Sequence, residues 1–145
     1  MAYTAAVSLS FVPSHFTVVE STCWHYANGC TWEQPSSSNG SQWTLKMNGS
    51  GTSGALRLMN SSGEYIFLLV GVHNYRIWLD VLTDLKSDDT AVKIHPTYYA
   101  GGSRSGLSLV ESIERSDSKG RKVSLKVTAH DGNYFRCEGH LTAVL

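Results

Sequence analysis

The sequence predicts a mainly β domain, an antiparallel sandwich or barrel whose two groups of strands are linked by a helix–loop–helix. Three observations carry that prediction. The opening stretch alternates with a period of two, which marks a half-buried strand. Short apolar runs then recur between turns rich in Gly, Asn and Ser, the spacing of antiparallel sheets. One central segment changes to helical spacing.

The first strand reads from Tyr3, Ala5, Val7, Leu9 and Phe11 on one face, with Thr4, Ala6, Ser8 and Ser10 on the other. Further strands are expected at Phe16–Val19, Gln42–Met47, Ala55–Met59, Glu64–Val72, Val123–Ala129 and Tyr134–Leu145. Turn-formers separate them at Ala27–Gly29, Pro35–Gly40, Asn48–Gly54, Asn60–Gly63 and Asp131–Asn133. From Asn74 to Leu85, Ile77, Val81 and Leu85 fall at intervals of four beside Trp78 and Leu82, and a helix is expected with Asn74 as its N-cap. Ser87 with Asp88 and Asp89 marks a second helix start, two carboxylates standing at the positive end of the dipole. Pro96 limits that helix to about two turns.

Length and charge bound the partners. The 145 residues fit a single domain, residues 1–145. Twelve Lys and Arg balance twelve Asp and Glu, so the chain lacks the basic footprint of a nucleic-acid binder. With 41% hydrophobic and 17% charged residues it is no disordered chain. Cys23, Cys30 and Cys137 show no metal-ligand spacing and read as reduced, buried thiols, a Cys23–Cys30 bridge being the other reading. The first fifteen residues show neither a basic region nor a long apolar run, so a cytoplasmic chain is expected. The longest apolar run, Tyr65 to Val70, is far short of the ~20 residues that cross a bilayer.

Chemical motifs narrow the reading further. Gly49-Ser50-Gly51-Thr52-Ser53-Gly54 matches G-x-G-x-x-G, but a strand follows it where a dinucleotide site needs a helix. What survives is a tight loop with exposed amides and small hydroxyls, which a ligand can approach closely. The six histidines have neither H-x-H nor H-E-x-x-H spacing, and no G-x-S-x-G elbow occurs; no metal, cofactor or catalytic residue is assigned. The run Lys119-Gly120-Arg121-Lys122 reads as a solvated hairpin tip. Four tryptophans and seven tyrosines are a large allotment for a small chain; most read as core packing, and one or two are expected at a surface, where an aromatic face can pack on the C–H side of a sugar ring. A neutral chain offering Asn, Asp, Arg and Gly-loop amides suits a neutral, hydroxyl-rich ligand.

Four segments taken together resemble the fungal fruit-body lectin family. They are Trp24-His25-Tyr26-Ala27-Asn28-Gly29, the Gly49–Gly54 loop, Gly71-Val72-His73-Asn74-Tyr75-Arg76 running through Trp78 and Asp80, and Tyr98-Tyr99. The resemblance implies an actinoporin-like β-sandwich of two antiparallel sheets joined by a helix–loop–helix. It implies a non-catalytic lectin, a homodimer or homotetramer, that serves in defence against animal feeders. One implied site takes Galβ1-3GalNAc through Ala27, Ser50, Gly51, His73 and Asn74. A second takes GlcNAc through Asp80, Val81, Thr83 and Arg104. The sequence departs from the family pattern in three places: Ile113 occupies the place of a tyrosine at the second site, Cys30 that of a glycine beside Ala27, and the Pro35–Ser41 loop is longer than usual while the N-terminal strand matches poorly. A rival from another class is a membrane-permeabilising cytolysin of the same architecture. Its inserting amphipathic helix is at odds with the period-two N-terminus.

Overall fold

The computed structural model describes residues 2–12, 14–25, 29–35, 41–99, 101–106 and 108–142. Ten strands form among them: β1 (Tyr3–Leu9), β2 (Thr17–His25), β3 (Cys30–Glu33), β4 (Gln42–Met47), β5 (Thr52–Met59), β6 (Tyr65–His73), β7 (Arg76–Leu85), β8 (Ser112–Ser116), β9 (Lys122–Asp131) and β10 (Tyr134–Thr142). They make a six-stranded sheet ordered β3-β4-β1-β10-β9-β8 and a four-stranded sheet ordered β2-β5-β6-β7. Neighbours run antiparallel, except that β1 lies parallel to β10. β1, expected as a strand, sits between β4 and β10 inside the larger sheet.

The two sheets face each other across the main core. Leu9, Phe11, Leu45, Leu56, Leu58, Leu68, Leu79, Leu125 and Phe135 fill it. A second, smaller core lies on the outer face of the four-stranded sheet. There Ala55, Phe67, Leu69 and Trp78 are covered by a short helix, α1 (Ala91–Ile94), and a 3-10 helix (His95–Tyr98) that follows it directly. Strands β5 to β7 are therefore buried on both sides.

That double burial corrects the helix expected from Asn74 to Leu85. Ile77, Leu79 and Val81 enter the main core while Trp78 enters the outer one, so apolar residues crowd both faces of a strand. A strand apolar on both faces loses its period of two, and spacings of four arise by coincidence. Asn74 is no N-cap. It and Tyr75 form a two-residue turn between β6 and β7, with φ of 49° and 65°. Positive φ at both central positions is the geometry that matches strand twist in a tight hairpin. The second helix does form, one turn later than expected. Thr90 is its N-cap, accepting from the Lys93 N–H, and Pro96 opens the 3-10 turn.

The cysteine reading is also corrected. Cys23 and Cys30 are joined by a disulfide, their Cα atoms 5.8 Å apart. β2 and β3 are edge strands of opposite sheets, and the short connection between them sets the two sulfurs face to face. Cys137 does fit the buried-thiol reading, burial pushing it up to about 12. Nor is the basic hairpin tip merely solvated. Lys119 and Arg121 reach Glu64 at 2.9 and 3.0 Å, and Arg121 also reaches Asp117 at 2.7 Å. These partners tie the β8–β9 turn to the turn before β6 and hold the Glu64 carboxyl down to about 2.

Candidate functional site

Four of the five residues expected at the first site lie on two neighbouring turns at one end of the four-stranded sheet. Ser50 and Gly51 precede β5, while His73 and Asn74 end β6 and begin its turn into β7. The pairing of Thr52 with Val72 fixes how the turns meet. The Gly51 N–H donates to the Val72 carbonyl at 2.7 Å, and the Tyr75 N–H donates to Ser50 Oγ at 3.0 Å. Gly51 has a φ of 86°, a left-handed conformation open to glycine at no steric cost. Asn74 and His73 are exposed, and the Ser50 hydroxyl keeps its own proton and a second lone pair for a ligand. Ala27 lies outside the described residues. The chain leaves β2 with His25 opposite Thr52, and it returns with the Gly29 carbonyl accepting from the Asn48 N–H at 3.0 Å.

Sequence reasoning did not place Tyr75 among the site residues. It is 76% exposed, the most open of the large apolar side chains described, and it neighbours Asn74 in the turn. A bulky residue at positive φ is uncommon, and here the bond from its N–H to Ser50 fixes that geometry. An exposed aromatic face beside an amide is the pairing a sugar ring uses.

A buried polar network supports these turns from beneath. Ser53 Oγ shares a hydrogen bond with His95 Nε2 at 2.7 Å and another with the Tyr99 hydroxyl. His95 Nδ1 shares one with Thr22 Oγ1 at 2.8 Å. Trp24 stacks on Tyr99 with ring centroids 5.6 Å apart. The His95 ring is 1% exposed, and burial brings its pKa down from 6.5 to about 4, so it is neutral at pH 7.

The second expected site lies further along β7. Asp80 is 3% exposed, and both of its oxygens are already used. The Tyr98 hydroxyl donates to Oδ2, and Arg115 Nη2 donates to Oδ1 at 3.3 Å. Arg115 Nε also donates to the Val81 carbonyl. Arg104 bonds Thr97 twice, from Nη1 to Oγ1 at 3.0 Å and from its backbone N–H to the carbonyl at 2.8 Å. Thr83 is half-buried on the same strand. Ile113 packs against the main core, while Arg115, two positions on in β8, reaches Asp80. Alternation puts the two residues on one face of β8, a weak signal until the neighbouring strand is known.

Polar turn residues and an exposed aromatic thus stand together at the strand ends of a β-sandwich. The model of the fungal fruit body lectin family matches residues 1–138, and the chain belongs to that family, a carbohydrate-binding lectin. It is 43% identical to the Boletus edulis lectin over 120 residues, 81% of each chain. Its structure matches that of the wild-type Xerocomus chrysenteron lectin with a TM-score of 0.88, at 36% identity, over 98% of this chain and 100% of the other. The lipid-binding protein Nakanori matches with a TM-score of 0.54 at 12% identity, over 97% of this chain and 70% of the other, a likeness of fold alone.

Proposed function

We propose that the chain binds Galβ1-3GalNAc glycans through Ser50, Gly51, His73 and Asn74, with Ala27 completing the site. The observation that carries this reading is the joining of the two turns, Ser50 Oγ accepting from the Tyr75 N–H at 3.0 Å. It sets the Asn74 amide, which both donates and accepts, beside a Gly-loop backbone and an exposed ring. Asn74 and the Ser50–Gly51 backbone would fix the axial hydroxyl of a galacto-configured sugar. The chain acts by binding, and no catalytic role is assigned to any residue.

Single shallow sugar sites are weak, so a homodimer or homotetramer would gain avidity by engaging several glycans at once. Defence against feeders is the role we propose for such an assembly, and the cytoplasm its location. Thiol counting on protein taken from the cell tests the location, because a reducing compartment keeps Cys23 and Cys30 apart.

The decisive experiment is glycan binding by turn variants. Asn74→Ala is expected to abolish Galβ1-3GalNAc binding and leave the circular dichroism spectrum unchanged. Asn74→Gly, which suits a φ of 49°, keeps the turn and is expected to lose the same binding. Wild-type binding by both variants would rule the reading out.

A further inference from the structure

We propose that a cavity at the end of the sandwich far from Ser50 and Asn74 is a further sugar site, one that takes a single neutral residue at the tip of a glycan. The proposal rests on the chain's being a lectin and is independent of how the first site is assigned. Three turns meet around this cavity. Ser14 and His15 line it just before β2, Asn60 and Ser61 from the turn after β5, and Arg121 from the turn before β9. None of these residues belongs to either site expected from the sequence. The eight-residue β5 runs from beside Gly51 to beside Asn60, so roughly 23 Å separates the two ends. Ser14, His15 and Ser61 are exposed, so the cavity opens to solvent and the rest of a glycan can leave through its mouth.

Size, charge and hydrogen bonding point to that ligand. The cavity holds about 300 Å³, the lower end of small-molecule sites, which suits one ring and not a chain of them. Among the described residues its lining carries one permanent charge, Arg121, and that charge is matched. Arg121 reaches Asp117 at 2.7 Å and Glu64 at 3.0 Å, while Lys119 reaches Glu64 at 2.9 Å, so two cations meet two carboxylates. A free anion therefore finds no excess of positive charge. Glu64 also fixes the lining, because its Oε1 accepts from Asn60 Nδ2 at 2.7 Å while its Oε2 holds Arg121. Asn60 Oδ1 accepts in turn from the Ser62 and Glu64 N–H groups. A cavity set in advance spares the ligand the cost of ordering it. Among the described residues these bonds leave two kinds of donor, an amide N–H of Asn60 and Nη1 of Arg121. The Ser14 and Ser61 hydroxyls add groups that both donate and accept. Sugar hydroxyls do both as well, and the apolar floor of Phe16 and Leu141 matches the C–H face of the ring.

The test follows backbone amide signals of the full chain by NMR, so that each end of the sandwich reports separately. The probes are galactose, N-acetylgalactosamine, glucose, N-acetylglucosamine and mannose, each as free sugar and as methyl glycoside, together with Galβ1-3GalNAc and sodium sulfate. At least one methyl glycoside is expected to move the Phe16, Asn60 and Arg121 signals at millimolar concentration, and to bind no less tightly than its free sugar. Ser61→Tyr, which fills the cavity from an exposed position, should abolish that response. His15→Ala, also at an exposed position, should weaken it by about tenfold. Both variants should leave the response of Ser50 and Asn74 to Galβ1-3GalNAc unchanged. Silence of the cavity signals toward every sugar overturns the proposal. So does a response that survives both substitutions, one confined to free sugars, or one given by sulfate and not by sugar. If Ser50 and Asn74 ignore Galβ1-3GalNAc while the cavity responds, the assignment of the first site fails and this one stands. If neither end answers any sugar, both fail.

Discussion

His95 links three segments of chain through one ring, because a neutral imidazole can donate from one nitrogen and accept at the other. Thr22 in β2 and Ser53 in β5 occupy its two nitrogens, and the 3-10 helix that carries it is thereby pinned to the sheet. Its pKa falls from 6.5 in the unfolded chain to about 4 in the fold, so between those values the unfolded chain holds more proton. Stability is therefore full above pH 6.5 and is lost as pH falls toward 4, at no more than ~1.4 kcal/mol per pH unit from this group. Denaturant unfolding across that range should show the decline, and a flat profile would contradict it. Glu64 does not blur the test. Its carboxyl titrates lower, from 4.5 toward about 2, and so loses its contribution in more acid solution.

At the scale of elements, the closest approach of the two sheets depends on a residue without a side chain. A Cβ at Gly54 would stand 2.5 Å from Leu45 Cδ1 and 2.7 Å from Trp32 Nε1, both on the facing sheet. Trp32 is fixed there by donating to the Thr22 carbonyl at 3.1 Å, and Leu45 is fully buried. Gly54→Ala is expected to destabilise the protein by about 1–3 kcal/mol through overpacking, read as a lowered denaturant midpoint. The same scale explains which elements could be read in advance. β1 sits with its alternation largely intact, and β4, β9 and β10 each have a more open face, so their pattern and turns announce them. β7 could not announce itself, because Ile77 is interior to the main core and Trp78, on the opposite face, is interior only through the layer of helix that covers it. β3 and β8 are short edge strands whose pattern is mostly exposed, and they carried too little apolar signal to be found.

For the whole molecule, the sandwich is fastened differently along its two sides. On one side the Cys23–Cys30 disulfide joins β2 to β3. On the other, the Leu79 N–H donates to the Val110 carbonyl at 2.9 Å and Arg115 reaches across from β8 to β7. The covalent side closes a loop of a few residues, for which chain entropy gives a stabilisation of about 2–3 kcal/mol. Reduction, or the pair Cys23→Ser and Cys30→Ser, is expected to lower stability by that amount with the same sheets retained; an unchanged melting temperature would count against the staple. That the Gly-rich loop and His73-Asn74 belong to one candidate site was legible because each is a contiguous, chemically distinctive segment, and the structure sets the two on neighbouring turns. The second expected site was only partly legible. Arg115 joins Asp80 through the meeting of two sheets, and nothing in either segment alone reports that meeting.

The disulfide has a consequence for recognition as well as for folding. It makes residues 23 to 30 a small covalent ring, and Ala27 is a member of that ring. A ring has fewer shapes to surrender than an open segment, so a ligand held by any of its members would find part of the ordering done once the sulfurs join. Capture of the ligand then costs less entropy. Were Ala27 to contact sugar as proposed, oxidation would become a determinant of affinity, and the same polypeptide would be a poorer sugar trap before its cysteines meet than after.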